Sequence, residues 1–245
     1  MIRPVHRLFF LLALLSAAAF TAAQPVAPFE DTMTQRLLAC TGCHGKQGRA
    51  GPDGFYPRLA GKPAGYLYNQ LHNFQAGRRH YAPMVKLLEP LSDAYLHAIA
   101  EYFSSLEVAY LPPLGSIASS GLLEHGRALV TQGDVTRKLP ACVQCHSESL
   151  MGLAPFVPGL IGLPRDYLNA QLGAWRTGER SAQAPDCMAD IARRLTPEDL
   201  SAVVAWLASQ RVPAFAKVAT SLPKSMPLQC GSTPGARTLL SGVSP

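Results

Sequence analysis

The chain has 245 residues, 48% of them hydrophobic and 16% charged, enough for one large or two ordinary globular cores. The formal charge of +6 falls to +4 once Arg3 and Arg7 are set aside with the leader described next. The remaining basic residues are scattered, as on a solvated surface or a docking face for an acidic partner, and they give no nucleic-acid signal.

Arg3 and Arg7 precede an apolar run from Leu8 to Leu15 and small residues ending in Thr21-Ala22-Ala23. This pattern predicts a secretory signal peptide over 1–23, cleaved after Ala23, and a periplasmic mature protein that begins at Gln24. The run from Leu8 to Phe20 is shorter than the roughly 20 residues a membrane span needs. An uncleaved leader would instead leave the protein loosely associated with the membrane. Residues 24–110 then read as a first domain. It holds Cys40-Thr41-Gly42-Cys43-His44, a helix from Ala64 to Gln75, and a second helix capped by Ser92 with Tyr95, Leu96, Ile99, Phe103 and Leu106 at helical spacing.

Leu111-Pro112-Pro113-Leu114-Gly115-Ser116 cannot be regular helix or central strand and marks a linker over 111–118. The second domain, 119–212, begins with a helix near Gly121 to Thr131 and carries Cys142-Val143-Gln144-Cys145-His146. A helix from Arg165 to Arg176 follows. The last helix has Thr196 as cap, Pro197 in its first turn, Glu198 and Asp199 at its positive end, and Leu200, Val203, Val204 and Leu207 inward. The tail, 213–245, is rich in proline, without periodicity, and expected to be irregular. No alternating strand pattern appears, so the fold class expected is all-α with long loops.

The two halves repeat at a spacing of 102 residues, from Cys40 to Cys142. Pro57-Arg58-Leu59-Ala60-Gly61-Lys62-Pro63 answers Pro158-Gly159-Leu160-Ile161-Gly162-Leu163-Pro164. Tyr66-Leu67 and Gln70-Leu71 answer Tyr167-Leu168 and Gln171-Leu172, and Phe74, Gly77, Arg79 and Met84 answer Trp175, Gly178, Arg180 and Met188. A repeat this long describes two similar domains, each with its own core.

In Cys-x-x-Cys-His, two thiols can each form a thioether to one haem edge while the adjacent imidazole reaches the iron. Cys40, Cys43, Cys142 and Cys145 are therefore the expected attachment points of two covalently bound haem c groups, with His44 and His146 as proximal ligands. A thioredoxin-like pair would explain neither histidine, and a zinc site would need further ligands. Met84 and Met188, 40 and 42 residues beyond those histidines, are the expected opposite ligands, because they alone among the methionines occupy matching repeat positions. His72 and His80 are the alternatives in the first half. The carbonyls of Pro57 and Pro158 are placed to orient the proximal rings, and Arg79 and Arg180 to pair with propionates. No phosphate-cradling glycine loop and no nucleophile with a base appears, so the sequence argues for a carrier and not an enzyme.

These residues resemble the class I cytochromes c, and more closely the dihaem periplasmic cytochromes called c-four, from about Glu30 to Gln210. The resemblance rests on the paired haem motifs, the Pro-x-Leu-x-Gly turns, the Tyr-Leu-x-x-Gln-Leu helices and a methionine before each last helix. It implies two tandem helical haem domains related by a pseudo-twofold axis. It also implies single-electron transfer between a donor dehydrogenase or quinol-cytochrome c reductase and a terminal oxidase or reductase. Cys187, Cys230 and the long tail depart from the pattern. In an oxidising compartment the economical reading of that pair is a disulfide pinning the tail near the second haem. The rival is a Cys187 thiolate replacing Met188 at the second iron, as in thiosulfate dehydrogenase-like dihaem enzymes.

Overall fold

The computed structural model describes residues 30–51, 54–113, 118–214 and 216–234. The leader over 1–23, the centre of the linker at 114–117 and the tail beyond 234 lie outside the described residues.

In the first half, Thr32 caps α1 (Met33–Arg36), its hydroxyl accepting from Gln35 N at 3.3 Å, and α2 (Leu38–His44) carries the first cysteine motif. A 3-10 turn at Lys46–Gly48 leads to the Pro57 loop and α3 (Ala64–Gln75), which starts after Pro63. Next come α4 (Ala82–Leu88) and α5 (Asp93–Ser105), the latter capped by Ser92 as its sequence demands. Leu37, Phe74, Leu96 and Phe103 meet in a core between α3 and α5.

The second half repeats this order with α6 (Ser120–Thr131), α7 (Val143–His146), α8 (Arg165–Thr177), α9 (Cys187–Arg194) and α10 (Pro197–Ser209). The expected helix at Gly121 begins one residue earlier because the Ser119 hydroxyl accepts from Leu122 N. Thr196 forms a full capping box with Asp199 on α10. α6 crosses α10 at Gly126, where a Cβ would fall 2.1 Å from the Ala202 carbonyl oxygen. Only glycine permits this approach, which closes a core of Val130, Leu168, Val204 and Leu207.

Two features differ from the sequence expectation, and the disulfide expected to pin the tail is present. α4 and α9 are helices that the periodicity did not predict. At seven and eight residues they span about two turns, too few for a readable pattern, and packing holds them. A minimal antiparallel hairpin joins β1 (Gly152–Leu153) to β2 (Val157–Pro158), with strands too short to alternate. The tail is irregular but anchored: Ala219 bridges Leu153 in parallel, Gly231 N donates to the Pro185 carbonyl at 3.0 Å, and the Cys187–Cys230 disulfide closes with its Cα atoms 5.5 Å apart.

The halves meet around an antiparallel bridge between Arg79 and Arg180, equivalent residues of the repeat. Ser181 N donates to the Arg78 carbonyl at 2.6 Å, and Tyr66 N to the Pro155 carbonyl at 3.0 Å. The side chains mirror each other too. Arg79 lies over Phe74, 4.6 Å from the ring centroid, and Arg180 over Trp175, 3.8 Å from its ring. Each guanidinium also donates to both Gln70 Oε1 and Gln171 Oε1, at 2.7–3.3 Å. The pseudo-twofold axis passes between them.

Candidate metal centres

Each half encloses one apolar cavity against the shared interface. The first, about 400 Å³, has Cys40, Cys43 and His44 on its α2 wall and Met84 from α4 among its lining. The second, about 170 Å³, has Cys142, Cys145 and His146 around α7 and Met188 from α9. Both methionines sit in the first turn of their short helices, so these two unpredicted elements are what carry thioethers to the cavities.

The imidazoles are placed alike. His44 Nδ1–H donates to the Pro57 carbonyl at 2.8 Å, and His146 Nδ1–H to the Pro158 carbonyl at 2.8 Å, as expected for ligand-orienting acceptors. Burial lowers both imidazole pKa values, partly opposed by those carbonyls, so both rings are neutral with an Nε2 lone pair available to a metal. Tyr56 flanks His44 edge-on, 6.1 Å between centroids. The thiols of the second pair are not of the reactive kind. Burial pushes Cys142 up to about 12 and Cys145 up to about 11, opposite to the depressed values of redox-active pairs. Among the described residues, no group of three or more His, Cys, Asp and Glu side chains could hold a bare ion.

The other candidates separate clearly. His72 lies outside the first cavity, stacked on Tyr68, whereas His80 reaches the cavity from an exposed position. Met151 is buried in the second core and Met33 packs on the first, while Met226 comes from the tail to line the second cavity with Leu228. Nothing in the sequence marks Met226, because an irregular segment has no period to place it. The Cys187 sulfur is bonded to Cys230 in this structure and is therefore not a thiolate.

The polar lining fits haem. Trp175 Nε1–H is buried in the second cavity without an acceptor, an orphan that a propionate would satisfy. Buried Arg180 and half-buried Arg79 have no carboxylate partner among the described residues, as anion-binding groups would. Buried Arg58 is satisfied otherwise, donating to the Ala60, Ala109 and Val108 carbonyls and lying over Tyr110. Apolar walls, a thiol pair and imidazole on one side, a thioether from another and cations at the interface are the donor set of a c-type haem.

The comparisons agree. The cytochrome c family model matches residues 124–211. The thiosulfate dehydrogenase electron acceptor of Thiomonas intermedia is 38% identical over 175 residues, covering 70% of this chain and 78% of that protein. The reduced cytochrome c4 of Pseudomonas stutzeri superposes with a TM-score of 0.62 at 30% identity, over 73% of this chain and 96% of that one. Thiosulfate dehydrogenase (TsdBA) of Marichromatium purpuratum gives a TM-score of 0.63 at 35% identity over 71% of this chain, which spans only 36% of that longer chain. With its fold, its paired cavities and these relatives in agreement, the chain belongs to the dihaem cytochrome c4 family and carries covalently bound haem c.

Proposed function

We propose that this protein is an exported, periplasmic electron carrier that accepts single electrons from a thiosulfate-oxidising dehydrogenase and passes them to a terminal oxidase or reductase. In this reading Cys40 and Cys43 attach the first haem, with His44 and Met84 as its axial pair. Cys142 and Cys145 attach the second, with His146 and Met188. Bound haem supplies a reversible one-electron iron couple. The protein's own part is to hold each imidazole by a proline carbonyl, to present a thioether from α4 or α9, and to keep water from apolar walls, which together favour a high potential.

The observation that carries the reading is the pairing of an imidazole and a thioether on the lining of each cavity. With haem bound, such a pair would hold the iron from the imidazole and the thioether and leave no open position for a substrate, as a carrier requires. The likeness to relatives named thiosulfate dehydrogenase electron acceptors supports this choice of donor. The cofactor-loaded protein should show two low-spin haems, each with a methionine-to-iron charge-transfer band. It should remain oxidised with thiosulfate alone and become fully reduced when a thiosulfate-oxidising dehydrogenase is added. A high-spin haem, or reduction by thiosulfate without that enzyme, overturns the proposal.

A further inference from the structure

The repeat is nearly symmetric at the interface, and Lys62 breaks it. The Pro-x-Leu-x-Gly turn is followed by Lys62 in the first half and by Leu163 in the second, and each is 8% exposed. Leu163 joins the apolar core of its own half. Lys62 lines both cavities, so this first-half side chain forms part of the wall around the second haem site, and its repeat equivalent offers no cation in return.

The surroundings of Lys62 are cationic. Its Nζ lies 5.9 Å from the centroid of Tyr66, and burial first, then the charges of Arg58, Arg180 and Arg79, disfavour its ammonium form. No carboxylate among the described residues pairs with it by hydrogen bond or ion pair. A buried ammonium held among like charges is strongly unfavourable unless a counter-charge fills the space it faces. Of these four cations, Arg58 and Arg79 line only the first cavity, whereas the second has only Lys62 and Arg180 on its lining.

We infer that Lys62 is a counter-ion lent by the first half to the carboxylates of the second haem, and that its charge holds the second haem's potential above what its own half provides. The inference rests on the proposal that a haem fills each cavity. A fixed cation beside a haem favours the reduced iron, which carries one positive charge less, and burial keeps that interaction from being screened.

The test is a redox titration of the dihaem protein, with the second haem's wave assigned as the one displaced by Met188→His. In Lys62→Met the second haem's potential should fall while the first moves less, which changes their separation. Lys62→Arg, keeping the charge, should restore it. Lys62→Gln gives the same reading if Lys62→Met does not accumulate. Unchanged potentials, an equal fall of both, or a larger fall at the first haem overturns the inference. A wild-type chain with fewer than two haems overturns the functional proposal itself, and this one with it.

Discussion

Pro57 and Pro158 contribute no side-chain chemistry, yet each fixes an imidazole through its carbonyl, and each was identifiable from its place in the repeat. The same logic singles out Met84 and Met188, since equivalence under the repeat separates them from four other methionines where residue type alone could not. On the proposed assignment of one ligand set to each half, Met84→Ala should remove one methionine charge-transfer band and lower one potential. The other haem should stay unaltered, as optical titration would show. Loss of both bands would mean that the halves do not hold their haems independently. Asp199 is a residue whose importance was only half legible. Its place near a helix start was read, but not its network. It is buried, it closes the capping box on Thr196, and it accepts from His125 Nε2 at 2.8 Å and Arg137 Nη1 at 2.5 Å. Burial alone would raise its pKa, but the hydrogen bonds from Arg137, Thr196 and His125 outweigh that and hold it well below the ordinary 3.8. A depressed folded pKa gives stability that is complete above about pH 5 and is lost as the pH falls toward the folded value. Asp199→Asn should therefore cost about 2 kcal/mol at neutral pH, and the gap to wild type should narrow steadily in acid. Chemical denaturation at pH 7 and pH 3 measures both.

At the level of elements, the long helices were legible because α3, α5, α6, α8 and α10 each run twelve or thirteen residues with an apolar face. The methionine-bearing α4 and α9 were not, although their methionines were, since a proposed ligand is read from its spacing to a motif and a two-turn helix is not. The tail was read as irregular, and its contacts are long-range: Asn69 Nδ2 donates to the Ser232 carbonyl at 3.0 Å, across 163 residues of sequence. Only the cysteine pair announced such a contact. The disulfide closes a separation of 43 residues, worth about 4 kcal/mol in the chain-entropy model, less any strain in the native loop. The Cys187→Ser, Cys230→Ser double variant should consequently melt several degrees lower. Limited proteolysis should cut it first within 213–229, whereas the oxidised wild type should resist there. Equal resistance in both would mean that Ala219 and Asn69 anchor the tail without the covalent link.

For the whole molecule, the decisive contact is the one least visible in either half alone. The sequence placed Arg79 and Arg180 at equivalent positions and suggested propionate partners. It could not show that their guanidiniums share Gln70 and Gln171 across the pseudo-twofold axis, because that pairing depends on how two separately folded units dock. Those glutamines are the acceptors that let two like charges approach each other in a buried interface. Arg180 is 4% exposed, and burial together with the Arg79 charge lowers its pKa. Replacing both glutamines with leucine keeps the volume and removes both glutamine acceptors of Arg180, leaving its buried guanidinium with Tyr66 and the face of Trp175. Each core, centred on Phe103 or on Val204, is built from its own half and should be intact. Gln70→Leu, Gln171→Leu should therefore weaken docking more than folding. Calorimetry should resolve two transitions where the wild type shows one, and electron exchange between the haems should slow while each keeps its methionine band. A single transition at a lower temperature, with exchange unaltered, would mean that the backbone bridges at Arg79, Ser181 and Tyr66 hold the halves together and the glutamines only stabilise them.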